Sequence, residues 1–173
     1  MDVVVIYGPP LAGKTTLARA LAAALPGKAA VVSIDQLRGA IDGGDDAGAE
    51  IDFVHGQVKL LVATYLKNGY SVVIEGPYAF EVDGWVASYE GEIEQLLRLM
   101  RLIARRTAIV GLSADAATLR ERAESTGRQA ELATALRLAG AYLRRTGPGF
   151  LPLDSGAHAP AELVRAVLGA LQS

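Results

Sequence analysis

The stretch GPPLAGKTT, Gly8 to Thr16, sets two glycines, two prolines and a lysine between the apolar run VVVIY and the stretch LARALAAAL. Gly8-x4-Gly13-Lys14-Thr15 matches the pattern G-x-x-x-x-G-K-[ST] without a mismatch. Glycines let a main chain wrap closely around a phosphate with successive N–H groups pointing inward. A helix starting near Lys14 adds the positive end of its dipole. The expected phosphate cradle is therefore the run Gly8, Pro9, Pro10, Leu11, Ala12, Gly13, Lys14, Thr15 and Thr16. Lys14 is expected at the β- and γ-phosphates of ATP, and the Thr15 hydroxyl at Mg²⁺. The bland alternative is a structural glycine turn, and the placement between a strand-like and a helix-like run speaks against it.

Further candidates follow in chain order. Asp35 and Arg38 form a D-x-x-R pair in SIDQLRGAI, one helical turn apart, so both side chains can face one site. A carboxylate there can accept the proton of an attacking hydroxyl, and a guanidinium can hold an acceptor. The competing reading makes Asp35 a helix cap and Arg38 a solvated side chain. Glu75 ends the apolar run SVVIE, where a carboxylate would serve the Mg²⁺ water shell or orient a nucleophile. Tyr78, Phe80, Trp85 and Tyr89 cluster behind it, either as an acceptor pocket or as anchors of a loop on the core. Arg98, Arg101 and Arg105 lie along one side of a helical stretch, and Glu94 four residues before Arg98 marks them as a solvated face. His55 reads as a histidine at the core edge and His158 as an exposed one.

These residues need a scaffold. Four β-branched runs, Val3–Tyr7, Ala29–Ile34, Ser71–Glu75 and Thr107–Leu112, are continuously apolar, which suits strands covered on both faces. Gly149–Leu153 contains Pro152 and reads as an edge strand. Helical patterns fill the gaps at Thr15–Leu25, Ile51–Lys67, Glu92–Arg106, Ala116–Glu124, Ala130–Arg145 and Ala161–Leu171. Asp42–Glu50 reads as an acidic, glycine-rich exposed loop. Alternating strands and helices predict a three-layer α/β/α domain with a five-stranded parallel sheet and right-handed crossovers.

The bulk composition narrows the function classes. The 173 residues fit one domain, 1–173, with an ordinary 51% hydrophobic and 21% charged content. A net charge of −2 argues against a partner recruited by a global positive field, such as long nucleic acid. The absence of cysteine removes disulfides, thiolate metal sites and thiol nucleophiles, and two histidines leave no multi-histidine centre. No run approaches the about 18 apolar residues of a membrane span, and the start lacks a basic, cleavable leader. A soluble cytoplasmic protein is the expectation.

Taken in order, GPPLAGKTT, the D-x-x-R pair and an arginine-bearing segment after the fourth strand resemble the small P-loop kinases. Within them the chain resembles the branch of polynucleotide 5'-hydroxyl kinases, zeta toxins and chloramphenicol phosphotransferase. That resemblance implies a γ-phosphoryl transfer from ATP to a hydroxyl of a small-molecule, nucleoside or oligonucleotide acceptor. It gives Asp35 the role of base and Arg38 that of positioning the acceptor. It puts a helical lid at about 124–130, from which Arg122 and Arg128 would neutralise the transferring group; Arg120 and Arg137 are weaker candidates. It also brings the turn at Ser155–Ala157 near the nucleobase. DQLRGAI equally resembles the nucleoside-monophosphate kinases, adenylate kinase above all. These typically carry another arginine after the third strand, where this chain reads EGPYAF. A second anion beside a triphosphate needs countercharge, so a hydroxyl acceptor is preferred. A third alternative is an ATP-binding switch with no acceptor.

Overall fold

The computed structural model describes residues 1–41, 47–77, 79–82, 85–88, 90–142 and 150–172, with 47–52, 79–82, 85–88, 90–94, 97 and 140–142 by main chain only. β1 (Asp2–Tyr7) is buried along its whole length and occupies the centre of the sheet. Its β-branched side chains suit a pleated surface packed on both sides. α1 (Lys14–Ala24) follows, then β2 (Ala29–Ser33), the short α2 (Ile34–Gly39), α3 (Ala47–Lys67) and β3 (Ser71–Gly76). A hairpin of β4 (Ala79–Val82) and β5 (Trp85–Ser88) precedes α4 (Glu90–Arg101). β6 (Arg106–Ser113), α5 (Ala116–Thr126), a 3-10 turn (Gln129–Glu131), α6 (Leu132–Tyr142), β7 (Phe150–Asp154) and α7 (Pro160–Ala170) complete the described chain.

The five long-range strands pair in the order β2-β3-β1-β6-β7, all parallel, as the alternation of elements predicts. β7 is the outer strand on its side, where Pro152 withholds an N–H. One face of the sheet packs Val4, Ile6 and Val110 against Leu17 and Leu21 of α1 and Val167 of α7. The other packs Val3, Val5 and Ile74 against Val54, Val58 and Val62 of α3, with Leu96 and Met100 of α4. A third cluster joins Leu11 to Leu119 and Ala123 of α5 and Ala135 of α6. None of the described helices is long and apolar enough to cross a membrane.

Most boundaries fall within two residues of the sequence pattern, and three differences bear on how the chain is read. The helix expected over Glu92–Arg106 ends at Arg101, and Arg106 opens β6 opposite Asp2. There the Arg106 guanidinium donates two hydrogen bonds to the Asp2 carboxylate, at 2.9 and 2.6 Å. The loop expected at Asp42–Glu50 is cut short, because α3 begins at Ala47; Asp42–Asp46 fall outside the described residues. The helix expected from Ala130 starts at Leu132 after the 3-10 turn, and its expected end at Arg145 falls outside them too. The β4–β5 hairpin was not expected, although Asp83–Gly84 is a strong tight-turn dipeptide.

The Asp2–Arg106 pair ties β1 to β6 at the end of the sheet remote from the phosphate loop. Arg106's hydrogen bonds hold the Asp2 carboxyl below its ordinary 3.8, against the opposing pull of burial. A carboxyl lowered in the folded state stabilises fully above its unfolded pKa and loses that contribution as pH falls through the folded one. We expect Asp2→Asn to cost about 1.5–2 kcal/mol at neutral pH, the low end for hydrogen bonds to a charged group because Arg106 stays partly exposed to water. Chemical denaturation should show the gap from wild type narrowing below the ordinary carboxylate range.

Candidate active site

The loop between β1 and α1 starts at a crowded point. A Cβ on Gly8 would lie 2.1 Å from the Leu112 carbonyl oxygen, so only glycine lets the chain leave β1 here. Leu11 then adopts φ +65°, the left-handed region that side chains other than glycine's disfavour. Gly13 follows at φ +88° and caps α1 without a side chain. Leu11 is held in this conformation from two sides. Its side chain is buried among α5 and α6, and its carbonyl accepts a 3.1 Å hydrogen bond from Arg122.

Lys14 is buried at the first position of α1 and donates to the Pro9 carbonyl at 3.1 Å. Burial pulls its pKa below the ordinary 10.5, and Arg128 adds to the depression. Asp35, Glu75 and Glu131 oppose it, so three carboxylates act on this amine. The next residue, Thr15, donates its hydroxyl to Glu75 Oε1 at 3.2 Å. Glu75 is 1% exposed at the end of β3, and its Oε2 has no hydrogen-bond partner among the described residues. A buried carboxylate oxygen left without a donor is costly, and a cation with its water shell is what such an oxygen suits. Thr15 and Glu75 therefore fit a magnesium ion carried on a nucleotide. Among the described residues no group of three or more His, Asp or Glu forms a free-standing metal cluster.

Asp35 reaches the site through α2. Ser33 caps that helix, accepting from the Gln36 amide at 3.4 Å, so Asp35 is not its cap. Ile34 is buried against Gly76, where a Cβ would come within 2.7 Å of the isoleucine Cβ. The wedge of Ile34 fixes how α2 leaves β2, and Asp35 stays exposed beside the phosphate loop.

A cavity of about 360 Å³ lies over this loop. Gly13, Lys14, Thr15, Thr16, Asp35, Arg122 and Arg128 contribute to its wall, with Ser155, His158, Pro160 and Leu163 from the β7–α7 region. Its size suits a small organic ligand. The structure thus brings eight of the expected residues, Leu11, Gly13, Lys14, Thr15, Thr16, Asp35, Arg122 and Arg128, to one space. Gly8, Pro9, Pro10, Ala12 and Glu75 are not among the residues of that wall. Arg38, one turn after Asp35, is not part of it, and its Nε is buried without a partner among the described residues. Tyr78 and Tyr89 fall outside the described residues, and Phe80 and Trp85 are described by main chain only.

Arg122 and Arg128 are placed very differently. Arg128 is at the corner between α5 and α6, just past Gly127 at φ +68°, and pairs with Glu131. Arg122 is on α5 itself. Besides Leu11, it donates to Ser155 Oγ at 2.9 Å and to the Ser155 carbonyl at 2.7 Å. The Ser155 hydroxyl is within hydrogen-bond reach of the Ala12 carbonyl at 2.7 Å and the Ser113 carbonyl at 3.0 Å. The Ser155 amide also donates to Ser113 at 2.8 Å. One serine thus joins the phosphate loop, the end of β6 and the turn after β7. Sequence reasoning placed the Ser155 backbone but missed this side chain, and it missed Glu131. No local pattern could reveal the first, since 143 positions separate Ser155 from Ala12.

The family model described as an AAA domain, AAA_33, matches residues 3–141. No curated protein matches by sequence. Among solved structures, the Mycobacterium tuberculosis APS kinase CysC in complex with AMPPNP and APS is similar, with a TM-score of 0.71 and 15% identity. The match covers 99% of this chain and 98% of that one. A gluconokinase from Sinorhizobium meliloti 1021 gives a TM-score of 0.64 at 18% identity, over 99% and 91% of the two chains. Chaetomium thermophilum Kti12 in complex with ADP-AlF3 gives 0.65 at 17%, over 98% of each. At such identities the likeness establishes the fold alone, a five-stranded parallel α/β fold of the P-loop kinase-like type. The chain belongs to the AAA_33 family of AAA domains.

Proposed function

We propose that the protein transfers the γ-phosphoryl group of ATP to a hydroxyl of a small acceptor. The observation that carries this reading is the meeting of Asp35 with Lys14, Thr15 and Arg128 around one cavity. A triphosphate site alone needs no exposed carboxylate beside its lysine, and such a group repels phosphate. It becomes useful where a hydroxyl must lose a proton as it attacks.

In this reading the loop amides and Lys14 bind the triphosphate, and Arg122 and Ser155 keep the loop in shape for it. Asp35 takes the acceptor's proton, Arg38 would orient the acceptor from outside the present cavity wall, and Arg128 meets the charge of the transferring group. Thr15 and Glu75 would hold Mg²⁺, which supplies charge neutralisation across the phosphates when bound. The nucleobase would lie toward Ser155, His158 and Pro160. Neighbouring folds that act on APS or carry the name gluconokinase agree with a small acceptor. We place the chain in the hydroxyl-directed branch that takes in polynucleotide 5'-hydroxyl kinases, zeta toxins and chloramphenicol phosphotransferase, as a single domain acting in the cytoplasm.

The test is a screen with radiolabelled ATP over sugars, nucleosides, antibiotics and 5'-hydroxyl oligonucleotides, with AMP, CMP, GMP and UMP alongside. Lys14→Ala serves as the blank. Label transferred to an alcohol supports the reading. Label transferred only to a monophosphate would replace it with a monophosphate kinase, and tight ATP binding with no acceptor would point to a switch.

A further inference from the structure

Arg128 contributes to the cavity wall, yet the edge of its guanidinium best suited to phosphate is already occupied. Its Nε and one terminal nitrogen donate to the two carboxylate oxygens of Glu131, at 2.6 and 2.5 Å. That two-donor edge is the fork with which arginine grips carboxylate and phosphate alike. Glu131 is not among the residues of the cavity wall. Both partners are well exposed, at 51% and 39%, and they stand three residues apart on the corner between α5 and α6. Water weakens a pair of this kind, so a competing anion can take the arginine from it. The corner is also within electrostatic range of the phosphate loop, because Arg128 and Glu131 both act on Lys14.

We propose that Glu131 is a charge-operated gate on Arg128, holding the guanidinium until the terminal phosphate of a nucleoside triphosphate competes for it. A diphosphate lacks the group in the place where competition occurs, so Arg128 stays with Glu131. Glu131 touches no reacting atom and is a positioning residue acting through Arg128. The consequence is selectivity of state: the cation reaches the γ-phosphate when one is present and leaves the site open for diphosphate to depart. The inference rests on the reading of the cavity as a triphosphate site.

The experiment is calorimetric titration of the full chain with a non-hydrolysable ATP analogue and, separately, with ADP, both with magnesium. Glu131→Gln removes the competing charge and keeps the shape. It should tighten the analogue by about three- to fivefold and ADP by less than about twofold, the scale of an exposed ion pair. In an Arg128→Ala background the same substitution should gain markedly less, since no guanidinium is left to release. Equal gains for analogue and ADP, or equal gains in both backgrounds, would mean simple repulsion and overturn the gate. Unchanged or weaker analogue binding would overturn it too, the latter showing that Glu131 aims Arg128 productively. Lys14→Ala separates the two levels: if it leaves analogue binding intact, the triphosphate reading fails and the gate falls with it. If it abolishes binding while Glu131→Gln does nothing, the gate alone is wrong.

Discussion

Asp35→Asn should lower kcat for transfer to a hydroxyl by about 10²–10⁴-fold, the range of a positioned general base. The substitution keeps the size and the hydrogen-bonding reach of the side chain but removes its capacity to take a proton. α2 should be undisturbed, because its cap is Ser33 and its anchor is Ile34 against Gly76. ATP affinity should therefore stay within about twofold or improve slightly, since one negative charge near the phosphates has gone. Single-turnover rates with saturating ATP and acceptor, set beside direct nucleotide binding, separate these quantities. An unchanged rate would remove Asp35 from the chemistry. A phosphate-oxygen acceptor would produce a similar small effect, because it has no proton that must leave.

Arg122→Ala should raise the KM for ATP by about 10- to 100-fold, the loss expected for hydrogen bonds from a charged donor. Its effect on kcat should be smaller. Arg122 ties the Leu11 carbonyl to Ser155, and Leu11 is a residue that pays about 1–2 kcal/mol for its left-handed conformation. Without the clamp the loop can relax to negative φ and turn its amides out of the cradle, so binding must first restore them. Arg122→Lys tells a clamp from a simple charge. Lysine keeps the cation but lacks the planar fork that spans two acceptors, so it should rescue little. If kcat collapses instead while KM holds, and lysine restores it, Arg122 acts on the transferring group as a cation. Hydrogen exchange of the loop amides without nucleotide offers a second view: they should exchange faster in Arg122→Ala.

Glycine positions illustrate how much was legible. Gly8 and Gly13 announce a phosphate loop by spacing alone, and the structure supplies the local reasons: the Leu112 carbonyl behind one and a positive φ at the other. Gly76 carries no such signal in the sequence. Its purpose is to admit Ile34, which comes from 42 positions earlier, and so to direct Asp35. The D-x-x-R spacing allows Asp35 and Arg38 to face one site but does not say how far each reaches into it. α2 turns Asp35 to the cavity and leaves Arg38 off its wall. Helical periodicity runs on to Arg106 although α4 ends at Arg101, and periodicity carries no sign that Arg106 joins β6 beside Asp2.

What the sequence by itself determined is the order and type of the main elements and the place of the phosphate loop. Those follow from short-range rules, apolar runs for buried strands, three- and four-residue stripes for helices, and glycine where the backbone must turn. Only the tertiary structure decided which distant groups meet that loop. Arg122 on the Leu11 carbonyl, Ser155 against Ala12 and Glu75 on Thr15 all join segments separated by at least 60 positions. A parallel sheet delivers the ends of β1, β2, β3, β6 and β7 to one edge whatever their separation in the chain. Hydrogen-bond geometry at that edge then selects the partners, and no local pattern encodes it.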